Sequence, residues 1–112
     1  MENSRYIKIV VFVPVEATKR VMDAMADTGA GMMGKYSNCF STTRVTSRWK
    51  PEEGSSPHIG VLGRVSEVEE DRIETICRRD MVKDVINAIK QSHPYEEVSI
   101  DLFELMGEEA FN

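Results

Sequence analysis

A strand–helix–strand unit occurs twice in this chain, and that duplication constrains the fold more than any other feature of the sequence. Under a shift of 64 residues, positions of similar character superpose: Phe12 on Ile76, Val21 on Val85, Ala24 on Ala88 and Met25 on Ile89. Because consecutive strands usually pair or lie next to each other, we expect both units to fold onto a single sheet.

The first unit begins with a nearly continuous apolar run at residues 6–13, which is typical of a central strand. Because Pro14 has no N–H to donate to a neighbouring strand, we expect it to end this strand. Residues 16–27 place apolar side chains at three- and four-residue steps and predict a helix, which Gly29 is suited to stop. Residues 36–49 are rich in Ser, Thr and aromatic side chains and predict an extended segment.

The second unit follows a loop at residues 50–57 and repeats the pattern. Residues 65–77 predict a second long extended segment. Asp80 predicts the N-cap of a helix over residues 81–91, and residues 98–105 alternate as a final strand. The predicted order is therefore β-α-β-β-α-β, an α+β sandwich of the ferredoxin-like class. Its two middle strands are long for so short a chain, and their unpaired edges predict neighbours in a closed oligomer.

Composition narrows the classes of function. The 112 residues are the usual size of one domain, which we assign to the whole chain, with a core at about residues 6–105 and an acidic tail at 106–112. The net charge of -5 argues against a nucleic-acid partner, whose phosphates attract Lys and Arg. The apolar run at residues 7–15 is too short to span a membrane. Cys39 and Cys77 make no disulfide scaffold, and a cytoplasmic protein is expected.

Gly29, Gly31 and Gly34 have the spacing of a dinucleotide-binding fingerprint. That fingerprint needs a strand before it and a helix after it, whereas here a predicted helix precedes it and a predicted strand follows. A phosphate would then face a helix C-terminus, whose dipole repels anions. We therefore interpret the glycines as a helix cap followed by a tight turn.

The run from His93 to Glu97 holds the clearest group of chemically active side chains. Pro94 fixes the backbone there, so the histidine and the carboxylates of Glu96 and Glu97 are predicted to share one turn, where they can bind a divalent cation or relay a proton. The alternative is structural, with a cationic His93 capping the second helix and the carboxylates solvated or paired. We favour the structural interpretation.

The remaining candidate residues are dispersed along the chain. Cys39, His58 and His93 do not have the spacing of a zinc motif, so a metal site that uses them has to be assembled in three dimensions or between subunits. Cys77 is expected in the core. A Cys39–His93 nucleophile and base lack an evident third residue, so an enzyme is the weakest hypothesis. The acidic run at residues 67–71 is interpreted as a solvated hairpin face.

Five motifs in a fixed order resemble one known module. They are residues 29–31, 34–39, 54–60, 68–74 and 93–97. The module is the PII/CutA-like domain inserted in YqfO proteins, the bacterial branch of the Nif-three-like family. The resemblance covers about residues 6–105, and residues 43–51 depart from it by lacking the usual glycines.

The resemblance implies a ferredoxin-like fold related to the PII signalling and CutA cation-tolerance proteins, and it implies a homotrimer. The other domain of YqfO proteins holds a dinuclear metal site. Two histidines cannot supply such a ligand set, so the hydrolase or cyclohydrolase labels of full-length relatives are not carried over. We expect a small oligomeric module that senses an unnamed ligand or regulates a protein partner. The alternative is a divalent metal-binding protein that uses Cys39, His93 and Glu96 or Glu97.

The candidate site residues are the matching motif positions together with His58. They are Tyr36, Cys39, His58, His93, Tyr95, Glu96 and Glu97.

Overall fold

A computed structural model describes residues 5–108, and it has the predicted order of strands and helices. The elements are β1 (Tyr6–Pro14), a 3-10 turn (Val15–Ala17), α1 (Thr18–Asp27), β2 (Phe40–Trp49), β3 (Ser66–Arg78), a 3-10 turn (Arg79–Met81), α2 (Val82–Ser92) and β4 (Ile100–Glu104). The four strands form one antiparallel sheet in the order β2-β3-β1-β4, which is the ferredoxin-like topology. The predicted fold class is confirmed.

The core lies between the helices and one face of the sheet. Alternate residues of β1 face the helices because successive strand side chains point to opposite sides. Apolar side chains of both helices cover them at helical spacing. The fully buried members of this core on β1 and the helices are Ile9, Val11, Val13, Val21, Met25, Val85 and Ile89.

The 64-residue duplication extends to the backbone and to hydrogen bonds. The residue before each 3-10 turn has nearly the same conformation, with φ −63° and ψ 146° at Pro14 and φ −63° and ψ 141° at Arg78. Thr28 and Ser92, at equivalent positions, each donate a side-chain hydrogen bond to the carbonyl four residues earlier, over 3.0 Å and 2.7 Å. Both helices therefore start from the same backbone conformation and share this side-chain hydrogen bond near their C-terminal ends.

Gly29 ends α1 as the sequence predicts. Its φ of 113° is in the left-handed region that glycine adopts without strain. Its N–H donates to the Ala26 carbonyl, and the N–H of Ala30 donates to the Met25 carbonyl, which is the Schellman arrangement. The interpretation of the glycine run as a cap and turn is confirmed.

β1 ends at Pro14 as predicted, although the proline itself still lies opposite Glu70. Other predicted boundaries were wrong. The last strand, predicted over residues 98–105, is observed only at Ile100–Glu104. Asp80 lies inside the second 3-10 turn, and α2 has no side-chain cap. The extended segment predicted over residues 36–49 is a strand only from Phe40 onward. Of the predicted acidic tail, residues 109–112 lie outside the described part of the chain.

The two middle strands extend past the rest of the sheet, as predicted. β1 pairs with β3 over residues 70–78, whereas β2 pairs with β3 over residues 66–75. Within the described part of the chain, residues 66–69 therefore pair only with residues 46–49, and this two-stranded part is called the ribbon here. The ribbon lengthens the molecule to 52 Å. Within residues 5–108 no helix is long and apolar enough to cross a membrane.

A candidate ligand cleft where the ribbon leaves the sheet

A cleft of about 600 Å³ lies at the point where β1 ends and the ribbon continues. Phe12 of β1 and Glu70 of β3 contribute to its wall from the sheet face opposite the helices, and Trp49 contributes from the end of β2. The loop at residues 50–65 and the segment at 95–99 close two further sides. The volume is in the range of small-molecule binding sites.

Tyr95 is at the centre of the aromatic contacts in this cleft. Its ring centroid lies 5.6 Å from that of Trp49 in an edge-to-face arrangement, 4.7 Å from that of His93 and 6.1 Å from that of His58. Its hydroxyl donates a hydrogen bond of 2.7 Å to Oε2 of Glu70. Burial, and then the adjacent Glu70 carboxylate, raise the pKa of Tyr95, so the hydroxyl stays protonated and donates.

His93 is a neutral structural residue behind this ring. Its Nδ1 accepts a hydrogen bond of 3.1 Å from the backbone N–H of Tyr95. The proton must therefore be on Nε2, which donates to the Phe12 carbonyl over 2.7 Å. Burial lowers the pKa of His93, against a weaker raising effect of the Phe12 carbonyl and Glu70. The predicted structural role is correct, but the cationic helix cap is wrong, because His93 caps α2 through its backbone N–H instead.

Glu70 is a buried carboxylate with one hydrogen-bonding partner among the described residues. The residue is only 3% exposed, and the Tyr95 hydroxyl donates a hydrogen bond to its carboxylate. Among residues 5–108, no Lys, Arg or His nitrogen lies within ion-pair distance of it. Buried carboxylates are normally paired, so this one is an exception to be explained.

The next residue, Asp71, has the opposite environment. It points to the helix side of the sheet, where Thr18 Oγ1 donates to it over 2.6 Å and Arg44 Nε over 2.8 Å. These two hydrogen bonds lower the pKa of Asp71. The prediction of a solvated acidic face holds for the exposed Glu67 and Glu69 but was wrong for Glu70 and Asp71.

Two hydrogen bonds between described residues hold the loop over the cleft, and His58 Nε2 also lies 3.9 Å from Oε1 of Glu16. Oε2 of Glu96 accepts a hydrogen bond of 3.0 Å from the backbone N–H of Ser56. The indole N–H of Trp49 donates to the Ile59 carbonyl over 3.1 Å. The loop therefore covers a defined side of the cleft, with His58 and Glu97 also in the wall.

Tyr36 and Cys39 lie elsewhere. Cys39 lies directly before the first residue of β2, and Trp49 is the last residue of that strand. The length of β2, about 30 Å, therefore separates Cys39 from Trp49. Cys39 contributes to a separate cavity of about 220 Å³, and Tyr36 is 75% exposed on a turn nearby. Cys77 is in the core as predicted, where burial raises the pKa of its thiol.

The predicted ligand set of Cys39, His93 and Glu96 is therefore not assembled within one chain. Cys39 lies at the other end of β2, and both ring nitrogens of His93 are occupied. Residues 5–108 contain no group of three His, Cys, Asp or Glu side chains arranged to hold a metal ion. The Cys39–His93 pair considered for nucleophilic catalysis is not brought together either, because His93 bonds to Phe12, which lies at the level of Thr43, four residues along β2 from Cys39.

Sequence reasoning missed Trp49 and Glu70. Trp49 is the only tryptophan of the chain, next to Lys50-Pro51, and such a residue at a strand end is a signal of a binding surface. Glu70 gave no such signal, because it is one carboxylate in an acidic run and only the strand register buries it.

Comparison with known proteins identifies a set of homologues. No protein-family model matches the chain. A GTP cyclohydrolase 1 type 2 homolog from Halalkalibacterium halodurans is 45% identical over 101 residues, which is 90% of this chain and 27% of that protein. The chain is a homologue of one domain-sized segment of such proteins. The family resemblance inferred from the five motifs is confirmed.

Solved structures agree with this identification. A Bacillus cereus protein related to NIF3, the Nif-three-like family, matches with a TM-score of 0.82 and 38% identity, covering 96% of this chain and 27% of that chain. A CutA1 from Shewanella sp. SIB1 matches with a TM-score of 0.71 over 95% of this chain and 86% of its own, at 14% identity. The latter likeness shows the fold alone. The chain spans about a quarter of the curated relatives it matches.

Proposed function

We propose that the protein is a cytoplasmic, single-domain ligand-sensing or regulatory module, and that its ligand binds in the cleft between β1, the ribbon and the covering loop. One observation carries this proposal. Residues that are far apart in sequence, namely Trp49, Glu70 and Tyr95, meet in one cavity of suitable size. Four of the seven predicted site residues line the same cavity: His58, Tyr95, Glu96 and Glu97.

The arrangement favours binding over catalysis. Tyr95 is held as a protonated donor, and neutral His93 uses both ring nitrogens in bonds to backbone groups. Neither is therefore placed to exchange a proton with a ligand. The names of the relatives refer to a GTP cyclohydrolase, but they describe proteins about four times as long as the matched segment, so we do not extend that activity to this chain.

We further propose that the module is a homotrimer. The ribbon at residues 46–49 and 66–69 and the outer edge of β2 carry backbone groups without a strand partner in the described chain. Such edges are normally covered, and a closed ring of subunits covers all of them equally. Light scattering after size-exclusion chromatography at micromolar concentration tests this. A trimer mass is expected, and a monomer contradicts it.

The ligand proposal is tested by thermal unfolding with a panel of nucleotides, organic acids, amino acids and amines. A compound that binds only the native state at 100 times its Kd stabilises it by about 2.7 kcal/mol. The shift should be lost in Trp49→Ala and kept in Tyr36→Ala, since Tyr36 is an exposed aromatic residue remote from the cleft. If no compound stabilises the protein, or if both variants respond alike, the cleft is not the binding site.

A further inference from the structure

The strongest chemical signal in the cleft is the unpaired carboxylate of Glu70. A buried charge without a counter-ion is expensive, and proteins normally supply a basic side chain or a bound cation. Here the described chain supplies only the Tyr95 hydroxyl, on Oε2. By contrast, the adjacent buried Asp71 has an arginine partner at 2.8 Å. Glu70 therefore lacks a positive group that the cleft has room to hold.

The rest of the cleft has the same sign of charge. Five glutamates line it against two basic residues, Arg48 and Lys50. Lys50 is already paired with Glu52 over 3.4 Å. A cavity lined mainly by one sign of charge concentrates ligands of the opposite sign. The electrostatics of the site as a whole thus select a cation.

The aromatic residues show what kind of cation fits. Trp49 and Tyr95 meet edge to face beside Glu70, with Phe12 and His58 in the same wall. Aromatic faces attract ammonium and guanidinium groups and pack against their carbon chains. A bare metal ion would gain little from these rings, and the described residues offer no three-ligand group for one. The volume of about 600 Å³ also exceeds what a single ion fills.

We propose that the cleft binds an organic cation, an alkylamine or guanidinium compound whose charged nitrogen pairs with Glu70 and whose carbon chain packs against Trp49 and Tyr95. The inference rests on the proposed function, because it names the ligand class for the same cleft. It requires no covalent step. The cation supplies the counter-ion that the folded chain does not.

Agmatine, which carries one guanidinium and one amine, is the test probe, with spermidine as a second cation and glutarate as an anion of similar length. Binding is measured by calorimetry and by the fluorescence of Trp49, the only tryptophan. Glu70→Gln removes the charge but keeps the volume and an oxygen that can accept from Tyr95. Because hydrogen bonds to charged groups are the stronger ones, we expect agmatine to bind about 10- to 100-fold more weakly to this variant.

Glu67→Gln is the matched control, since Glu67 is exposed on the same strand and outside the cleft wall. It should bind agmatine like the wild type. If Glu70→Gln does not fold, Trp49→Leu measured by calorimetry takes its place, and a loss of at least about threefold is expected from the missing cation–π contact.

The outcomes separate the two proposals. Glutarate or another anion binding where agmatine does not would overturn the organic-cation inference and leave the ligand-sensing function standing. Equal agmatine affinity in wild type and Glu70→Gln would also overturn the inference. Failure of every cation, anion and neutral compound to bind would contradict the proposed function itself.

Discussion

Acidification just below pH 6.5 is expected to destabilise the protein through His93. Burial holds the pKa of this histidine below its ordinary value of 6.5. The unfolded chain therefore takes up the proton near pH 6.5, whereas the folded chain takes it up only at lower pH. Between these two values the unfolded state binds more protons, so the free energy of unfolding falls as the pH falls. Above pH 6.5 the stability is fully present.

The size of the effect follows from a single proton. One group contributes at most about 1.4 kcal/mol per pH unit between its folded and unfolded pKa values. The structural reason is specific, since a proton on Nδ1 removes the acceptor for the Tyr95 N–H and sets a charge against that amide. We expect a loss between pH 7.5 and 5.5 that is no larger than about 1.4 kcal/mol, the limit for one proton over the pH unit below 6.5.

Urea unfolding at pH 7.5 and 5.5, followed by the fluorescence of Trp49, measures this loss. Two variants each imitate one ring nitrogen: His93→Gln offers a donor to the Phe12 carbonyl, and His93→Asn offers an acceptor to the Tyr95 N–H. Each lacks one hydrogen bond and should cost about 1 kcal/mol at pH 7.5. Neither substituted side chain takes up a proton in this pH range, so the difference in the free energy of unfolding between pH 7.5 and 5.5 should disappear in both variants.

His58→Gln is the control, because it removes the other histidine, which is exposed. It should keep the pH dependence of the wild type. The assignment of a neutral, doubly bonded His93 is refuted if the wild type is equally stable at both pH values. It is also refuted if His93→Gln loses as much stability on acidification as the wild type does.

Three further predictions concern stability at neutral pH. Asp71→Asn should lower the free energy of unfolding by about 1–3 kcal/mol in urea titrations, because the buried carboxylate loses its charge-assisted bonds; a change below 0.5 kcal/mol, typical of surface sites, would speak against this role. Tyr95→Phe leaves the buried Glu70 without its hydrogen-bond donor and should lower the free energy of unfolding by about 1–3 kcal/mol. The loss should be smaller when Tyr95→Phe is made in a Glu70→Leu background, and equal losses in both backgrounds would argue against the contact. Met25→Ala and Ile89→Ala remove equivalent core side chains and should each cost about 2–5 kcal/mol by thermal unfolding; a variant as stable as wild type would show that its side chain does not fill the core.

Most of the fold could be predicted because its signals are local. The apolar run of β1 and the helical spacing of α1 and α2 each depend on a few neighbouring residues, and the 64-residue duplication relates one unit to the other. Boundaries failed where tertiary contacts decide them. The segment predicted over residues 36–49 is a strand only from Phe40 onward, since Tyr36 is bridged to Met33 across a turn and Asn38 has a φ of 58°.

The site could be predicted only in part, since it depends on register. Tyr95, Glu96 and Glu97 were found from the motifs and His58 as a possible metal ligand, and the four line one cavity. Glu70 was not found from the sequence, because a carboxylate on a strand is buried or exposed according to which residue lies opposite it. The grouping of Cys39 with His93 was wrong, because the sequence does not show that they lie at different levels of the sheet.

The duplication also explains why the two halves differ in their cavities. Phe12 and Ile76 are equivalent under the 64-residue shift, and the carbonyl of each accepts a hydrogen bond from the segment after the helix of the other unit. At Ile76 the donor is the backbone N–H of Gly31, at 2.9 Å, where a Cβ would lie 2.9 Å from the Phe40 ring.

At Phe12 the donor is instead the ring of His93, over 2.7 Å. Tyr95, whose equivalent in the first unit is Gly31, contributes to the cleft wall there. The cavities at these two places measure about 600 Å³ and 220 Å³. The larger cavity therefore lies where a side-chain donor and a tyrosine take the places of a backbone donor and a glycine.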